Sequence, residues 1–395
     1  MKSPVKSRPG PGLLRLPVLI LLLGASLTTL AQKPRLPRPR ILEHDARISR
    51  DPATGEMRLN PSEELENAPS TPAPVIRSSV ALVELQCTVT EPDGTRVRGL
   101  HQADFRVSED GVEQNVSSFD AASTPASIAL VIDASPSIYR ELGDMRSVAQ
   151  SLSKSLQSED EVAVVAFANE THLLLPFSRD RNLLNAALSS SELARVANSS
   201  QSFIYQATYL SAAQLFSGRR GRKALVLLTD GQDSGLGLTW NPTSMLPSAS
   251  ATSPLAFQDV ARGIAAQGLE LYVISTEPRP HAMTDAWLSA QREQPLISSA
   301  ARAAGIPLYT LYLAELVRQV GGELYFLREI GSLADIYRSI ALKLDAEYTL
   351  GYYPAAGISK PGWRKVKIEL RQDAQTPANS QIAHRTAYYV PASLR

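Results

Sequence analysis

Cysteine is almost missing from this chain. A single thiol, Cys87, occurs in 395 residues, which excludes an internal disulfide framework and a Cys-rich zinc site. Net charge is also nearly nil: 40 Lys and Arg against 39 Asp and Glu leave +1. No global field therefore draws the protein to nucleic acid or to a membrane surface. Histidine is scarce, at five residues. Neither G-x-x-x-x-G-K-[ST] nor G-x-G-x-x-G follows a strand-like run, so the usual phosphate-cradling loops are lacking. What is present is an ordinary apolar content of 44%, enough for a sizeable core. The 27 prolines are unevenly placed, and that unevenness marks the organisation.

Lys2, Lys6, Arg8 and Arg15 precede an apolar run from Leu16 to Leu27, and Thr29-Leu30-Ala31 offers small residues after it. This is the pattern of a secretory leader over 1–31. The run is too short for the ~20 residues that span a bilayer, so cleavage that leaves no membrane span is expected, against the alternative of an uncleaved anchor. The expected location is outside the cytoplasm: secreted, periplasmic or associated with the cell envelope. Residues 32–77 carry eight prolines, a basic start (Lys33, Arg35, Arg38, Arg40) and an acidic end (Glu56, Glu63, Glu64, Glu66). Apolar residues there show no period, so an extended, mostly disordered spacer is expected.

From Ser78 the pattern changes. Val80, Leu82, Val83, Leu85, Cys87 and Val89 partly alternate, and Pro92-Asp93-Gly94 and Glu109-Asp110-Gly111 are turn signals. A small antiparallel β region is expected over 78–121, with Cys87 as a buried small hydrophobe. Over 347–395, three more strands are expected: Tyr348 to Tyr353, Trp363 to Leu370 and Ala383 to Val390. Neither group has a core of its own, so the two are expected to pair into one sandwich-like domain.

Between them lies an α/β pattern, 126–346. Ser127 to Ile132 is a continuous apolar run ending in Asp133, and Ala224 to Leu228 is another, ending in Thr229-Asp230-Gly231. Such runs, alternating with helical stretches, predict a doubly wound, mostly parallel sheet. Ligands of these sheets bind beyond the carboxyl ends of the strands. There stands Asp133-Ala134-Ser135-Pro136-Ser137. A carboxylate and two hydroxyls at i, i+2 and i+4 can curl round one hard cation, and Asp230 from the other strand end can complete the cluster. Oxygen ligands suit Mg²⁺, Mn²⁺ or Ca²⁺ rather than zinc or copper. D-x-S-x-S alone is weak, since about one in ten chains of this length contains it by chance. Its place at a strand end is what raises it above a helix cap.

These two motifs, Asp133-Ala134-Ser135-Pro136-Ser137 and Leu228-Thr229-Asp230-Gly231, resemble those of the von Willebrand factor type A domain over about 126–346. Gly99 to Val116 (G-L-H-Q-A-D-F-R-V-S-E-D-G-V-E-Q-N-V) and Leu350-Gly351-Tyr352-Tyr353-Pro354 are similar to exported proteins of that family common in Acidobacteria. The resemblance implies a noncatalytic binding protein with a metal-ion-dependent adhesion site. It also implies a further ligand, Ser202. The stretch Gln201-Ser202-Phe203-Ile204-Tyr205-Gln206-Ala207 matches a family pattern G-T-x-L-Y-D-A, with Ser202 in place of Thr and Gln206 in place of Asp. Asp133, Ser135, Ser137, Ser202 and Asp230 are then the expected metal ligands, and an Asp or Glu carboxylate of a protein partner the expected last ligand.

Two alternatives are open. One is a structural envelope protein whose cation site is degenerate or only stabilising. The other is a hydrolase using Ser135 or Ser137, which wants a nearby base; no His stands at a strand end of the α/β pattern. Two features flank the site. Residues 277–308 exceed what the family fold needs, and either shape the ligand surface or form a solvated loop. Trp240, close after Asp230, is either an exposed contact anchor or packed on that extra segment.

Overall fold

The computed structural model describes residues 36–42, 46–52, 57–61 and 82–390, apart from 94, 122–124, 139–144, 198, 220, 250–254, 292–293, 331, 345–347, 356–360, 372–373, 375 and 378. The leader pattern and the last part of the proline-rich segment lie outside the described residues.

Strand Ala126–Asp133 is the centre of a seven-stranded sheet, and all eight of its residues are buried. Its apolar run is continuous because both faces are covered. Ile128, Leu130 and Ile132 enter one core, Ala129 and Val131 the other, which is the period of two that a strand imposes. Arg222–Thr229 and Glu161–Phe167 flank it in parallel, and Glu270–Ser275 and Gly322–Phe326 extend the parallel part beyond Arg222–Thr229. Thr171–Ser178 is added antiparallel to Glu161–Phe167. Helices Met145–Ser155 and Leu333–Lys343 cover one face; Ile204–Leu215, Phe257–Ala266 and Leu308–Val320 cover the other. The fold is thus mixed α/β with a mostly parallel central sheet.

The flanking strands form two four-stranded antiparallel sheets. One runs Gln381–His384, Val83–Thr90, Tyr348–Tyr352, Val116–Asp120; the other runs Ala387–Val390, Gly362–Leu370, Phe105–Glu109, Val112–Gln114. Each mixes strands from before and after the α/β region, as in Leu350 opposite Leu85 and Ile368 opposite Val107. Val83, Leu85, Cys87 and Val89 alternate inward into their shared core. Burial pushes the Cys87 thiol up to about 12, as expected of a small packed hydrophobe. The buried Tyr348 hydroxyl donates to the Val97 carbonyl (2.9 Å) and accepts from the Leu100 N–H (3.2 Å), tying the strand that leaves the α/β region to the loop before Phe105–Glu109.

Three parts depart from the sequence expectation. Within the segment read as a disordered spacer, three stretches are strands: Arg40–Ile41, Ala46–Arg50 and Met57–Pro61. Arg40–Ile41 pairs antiparallel with Leu173 and His172, Leu42 is fully buried, and Ala46–Arg50 pairs with Met57–Pro61. For Arg40–Ile41 the reason is the outer edge of Thr171–Ser178, which an added strand covers. Second, helix Leu308–Val320 and strand Gly322–Phe326 were not foreseen. Ten of the helix's thirteen residues are buried, so it shows no polar stripe to mark its period. Third, of the two readings open for residues 277–308, the solvated loop is the one that fails. Met283, Leu296, Ala301 and Ile306 pack with Leu311, Ala314 and Phe326 into a satellite core, and the buried Glu315 accepts the Leu296 N–H (3.1 Å).

Candidate metal centre

The register of the sheet builds the site. Leu228 lies opposite Ile132, so the next residues, Thr229 and Asp133, finish their strands side by side. Asp133 is wholly buried. Its Oδ1 accepts the Ser135 N–H (2.9 Å), and its Oδ2 accepts the hydroxyls of Ser202 and Thr229 (2.9 Å each). The Ser135 and Ser137 hydroxyls lie 3.1 Å apart. Burial pushes the Asp133 carboxyl above its ordinary range; the hydrogen bonds from Ser135 and Ser202 oppose this, and the negative charge of Asp230 adds to it. A carboxylate with both oxygens so occupied acts chiefly by orienting the hydroxyls, whose own lone pairs remain available.

The loop bearing Ser202 is pinned from two sides. Ser202 N–H donates to Ser234 Oγ (3.2 Å) and Ser234 N–H to the Ser202 carbonyl (2.7 Å). Phe203 N–H donates to the Ala168 carbonyl (2.9 Å). Asp233 accepts from the N–H groups of Leu236 (2.6 Å) and Tyr205 (3.4 Å), the latter in the first turn of helix Ile204–Leu215. A carboxylate there complements the positive end of the helix. Gly231, between the two aspartates, has φ +87, and a Cβ on it would lie 2.9 Å from Leu313 Cδ1. Only glycine fits that turn.

Of the five expected ligands, Asp133, Ser135, Ser137 and Ser202 are therefore joined by hydrogen bonds. Asp230 shares one cleft of about 470 Å³ with the three serines. Ser200, Gln232, Asp233, Ser234, Leu238, Leu308 and Tyr309 also line it, and among the described residues no Lys, Arg or His does. Sequence reasoning missed Thr229 and Asp233 as parts of the site. Thr229 was readable as the residue before the strand-end aspartate, but its contact with Asp133 bridges 96 positions. Among the described residues no three His, Cys, Asp or Glu form a cluster. The donor set is two carboxylates and three hydroxyls, which fits a hard divalent cation with open positions and not a soft metal. Trp240 is not the exposed anchor: it is partly buried against both the main and the satellite core, with the Arg302 guanidinium 5.8 Å from its ring.

Residues 127–293 match the family model of the von Willebrand factor type A domain. The matched span holds all five expected ligands, and it ends before helix Leu308–Val320. No curated protein sequence matches the chain. Among solved structures, a von Willebrand factor type A protein from Catenulispora acidiphila is 10% identical, covering 81% of this chain and 75% of its own, at a TM-score of 0.37. An aerotolerance-related membrane protein from Bacteroides fragilis is 15% identical (56% and 98% covered, TM-score 0.36). The pilus adhesin SpaC from Lactobacillus rhamnosus is 10% identical (77% and 43% covered, TM-score 0.38). At scores this low the likeness bears on neither fold nor function.

Proposed function

We propose that the protein is a noncatalytic, divalent-cation-dependent protein-binding module, and that Asp133, Ser135, Ser137, Ser202 and Asp230 hold the cation. Mg²⁺ is the first candidate, with Mn²⁺ or Ca²⁺ also suited to oxygen donors. The observation that carries the reading is that Ser135, Ser137, Ser202 and Asp230 line one cleft, with the buried Asp133 hydrogen-bonded to Ser135 and Ser202 behind it, and that among the described residues no basic side chain lines that cleft. Left alone, such a cleft repels a carboxylate. A bound cation supplies the positive charge to which an Asp or Glu of the partner can ligate. Asp133 orients Ser202 and Ser135 from below, Asp230 contributes charge from the neighbouring strand end, and the exposed Ser137 faces the opening. Export is proposed from the leader pattern of 1–31, with a secreted, periplasmic or envelope location. Among the described residues no helix is long and apolar enough to cross a membrane.

The direct Ser202–Asp133 hydrogen bond closes the cluster on itself, and it supports a second reading, in which a cation only stabilises the fold. Calorimetric titration with Mn²⁺ and Mg²⁺, followed by binding of an Asp-containing peptide with and without EDTA, separates the two. The first reading expects chelator-sensitive peptide binding that Asp230→Ala abolishes. Peptide binding indifferent to both EDTA and Asp230→Ala would sink it. Cation binding that raises Tm without any carboxylate binding favours the second. Binding of a Lys peptide without a cation would show that the acidic cleft works unaided.

A further inference from the structure

Besides the expected ligands, the cleft is lined by the polar Ser200, Gln232 and Ser234 and by the apolar Leu238, Leu308 and Tyr309. Leu308 and Tyr309 lie beyond the span that matches the family model, and Leu238 lies within it. Trp240 packs on the satellite core of 283–314, which anchors the short strand Leu238–Trp240 and with it Leu238. Helix Leu308–Val320 begins where the extra segment 277–308 ends, packs against the same strand, and sets Tyr309 over Gly231, the residue after Asp230; a Cβ on Gly231 would lie 3.3 Å from the Tyr309 ring. The Asp233 carboxylate in the cleft accepts the N–H groups of Leu236 and Tyr205, and among the described residues no Lys, Arg or His lines the cleft to pair with a second acid of a partner.

We propose that the partner offers its acidic residue next to an apolar side chain, and that Leu238, Leu308 and Tyr309 receive that neighbour. The extra segment is thus a specificity device. The inference rests on the cation-dependent reading above.

The test is calorimetry in two steps on the same protein: Mn²⁺ alone, then Mn²⁺ plus peptides that share one Asp and differ in the next residue (Leu, Phe, Gly or Lys). Covering part of an apolar side chain predicts Leu and Phe peptides about tenfold tighter than the Gly peptide. In Leu238→Ser and Tyr309→Ala the preference should fall below about threefold while Mn²⁺ affinity stays, and Tyr309→Phe should keep it. Equal binding of all peptides, a preference for Lys, or a preference that survives both variants overturns the inference while leaving the cation reading intact. Failure of the wild type to bind Mn²⁺ in the first step overturns both.

Discussion

The two ends of the central sheet treat buried charge in opposite ways. At the amino ends of the strands, acids meet bases. Asp160 accepts the Ala126 N–H (2.7 Å) at the start of the central strand and lies 3.5 Å from Arg222, both nearly fully buried. Arg385 reaches from the sandwich to the strand starts, its guanidinium beside Gly268 and its Cβ beside Gly321, and donates to the Glu84 carbonyl (2.7 Å) with its Nε shielded from water. At the carboxyl ends, Asp133 and Asp230 meet only N–H and O–H donors, and among the described residues neither forms an ion pair. A buried carboxylate without a counter-charge is costly. The amino end therefore reads as a sealed structural junction, and the carboxyl end as the place where the proposed cation would supply the missing counter-charge.

That contrast can be broken experimentally. Arg385→Ala should have the largest effect, about 2–4 kcal/mol of lost stability in urea unfolding, because it strips a shielded charge from the junction. Mn²⁺ affinity should not follow. Cys87 gives an independent readout: with its thiol pushed up to about 12, it should resist thiol reagents at pH 8 in the wild type and label faster in Arg385→Ala. A variant that lost cation binding along with stability would show that the two ends are not independent.

Asp230→Asn should do the reverse. Cation affinity should drop at least about a hundredfold, some 2.7 kcal/mol. Unfolding of the cation-free protein should be unchanged or slightly harder, because a like charge near Asp133 is gone. Marked destabilisation without cation would mean that Asp230 is structural. Gly231→Ala joins the two effects: a positive φ and a crowded contact with Leu313 should cost about 1–3 kcal/mol, with weaker cation binding as the strand end shifts. Ser202→Thr should be the smallest change. It keeps the hydroxyl that Asp133 accepts and adds a methyl to a tightly buried loop residue, so cation affinity should move by less than about fivefold, or 1 kcal/mol.

The legible parts of this protein were those whose signal is short. The run Ser127 to Ile132 announces a strand covered on both faces, and Val83, Leu85, Cys87 and Val89 announce a strand with one wet face. Asp133, Ser135 and Ser137 stand within five positions at the end of a strand, so their grouping was visible at once. Ser202 needed a resemblance, because its bond to Asp133 spans 69 positions. Helix Leu308–Val320 escaped because burial on nearly all sides erases the amphipathic period. Arg40–Ile41 escaped because two paired residues in a proline-rich stretch carry too little pattern, and what holds them is the edge of a distant strand.

By itself, then, the sequence determined the mixed α/β class, the flanking β strands and two acidic strand ends. Apolar runs and turn residues act locally, and their spacing survives in one dimension. Only the tertiary structure decided that Thr229 and Ser202 meet on Asp133, that Asp233 holds the first turn of the neighbouring helix, and that Trp240 packs on the satellite core. Those outcomes depend on register between strands and on which face of an element finds a packing partner, and neither is encoded at any fixed separation along the chain.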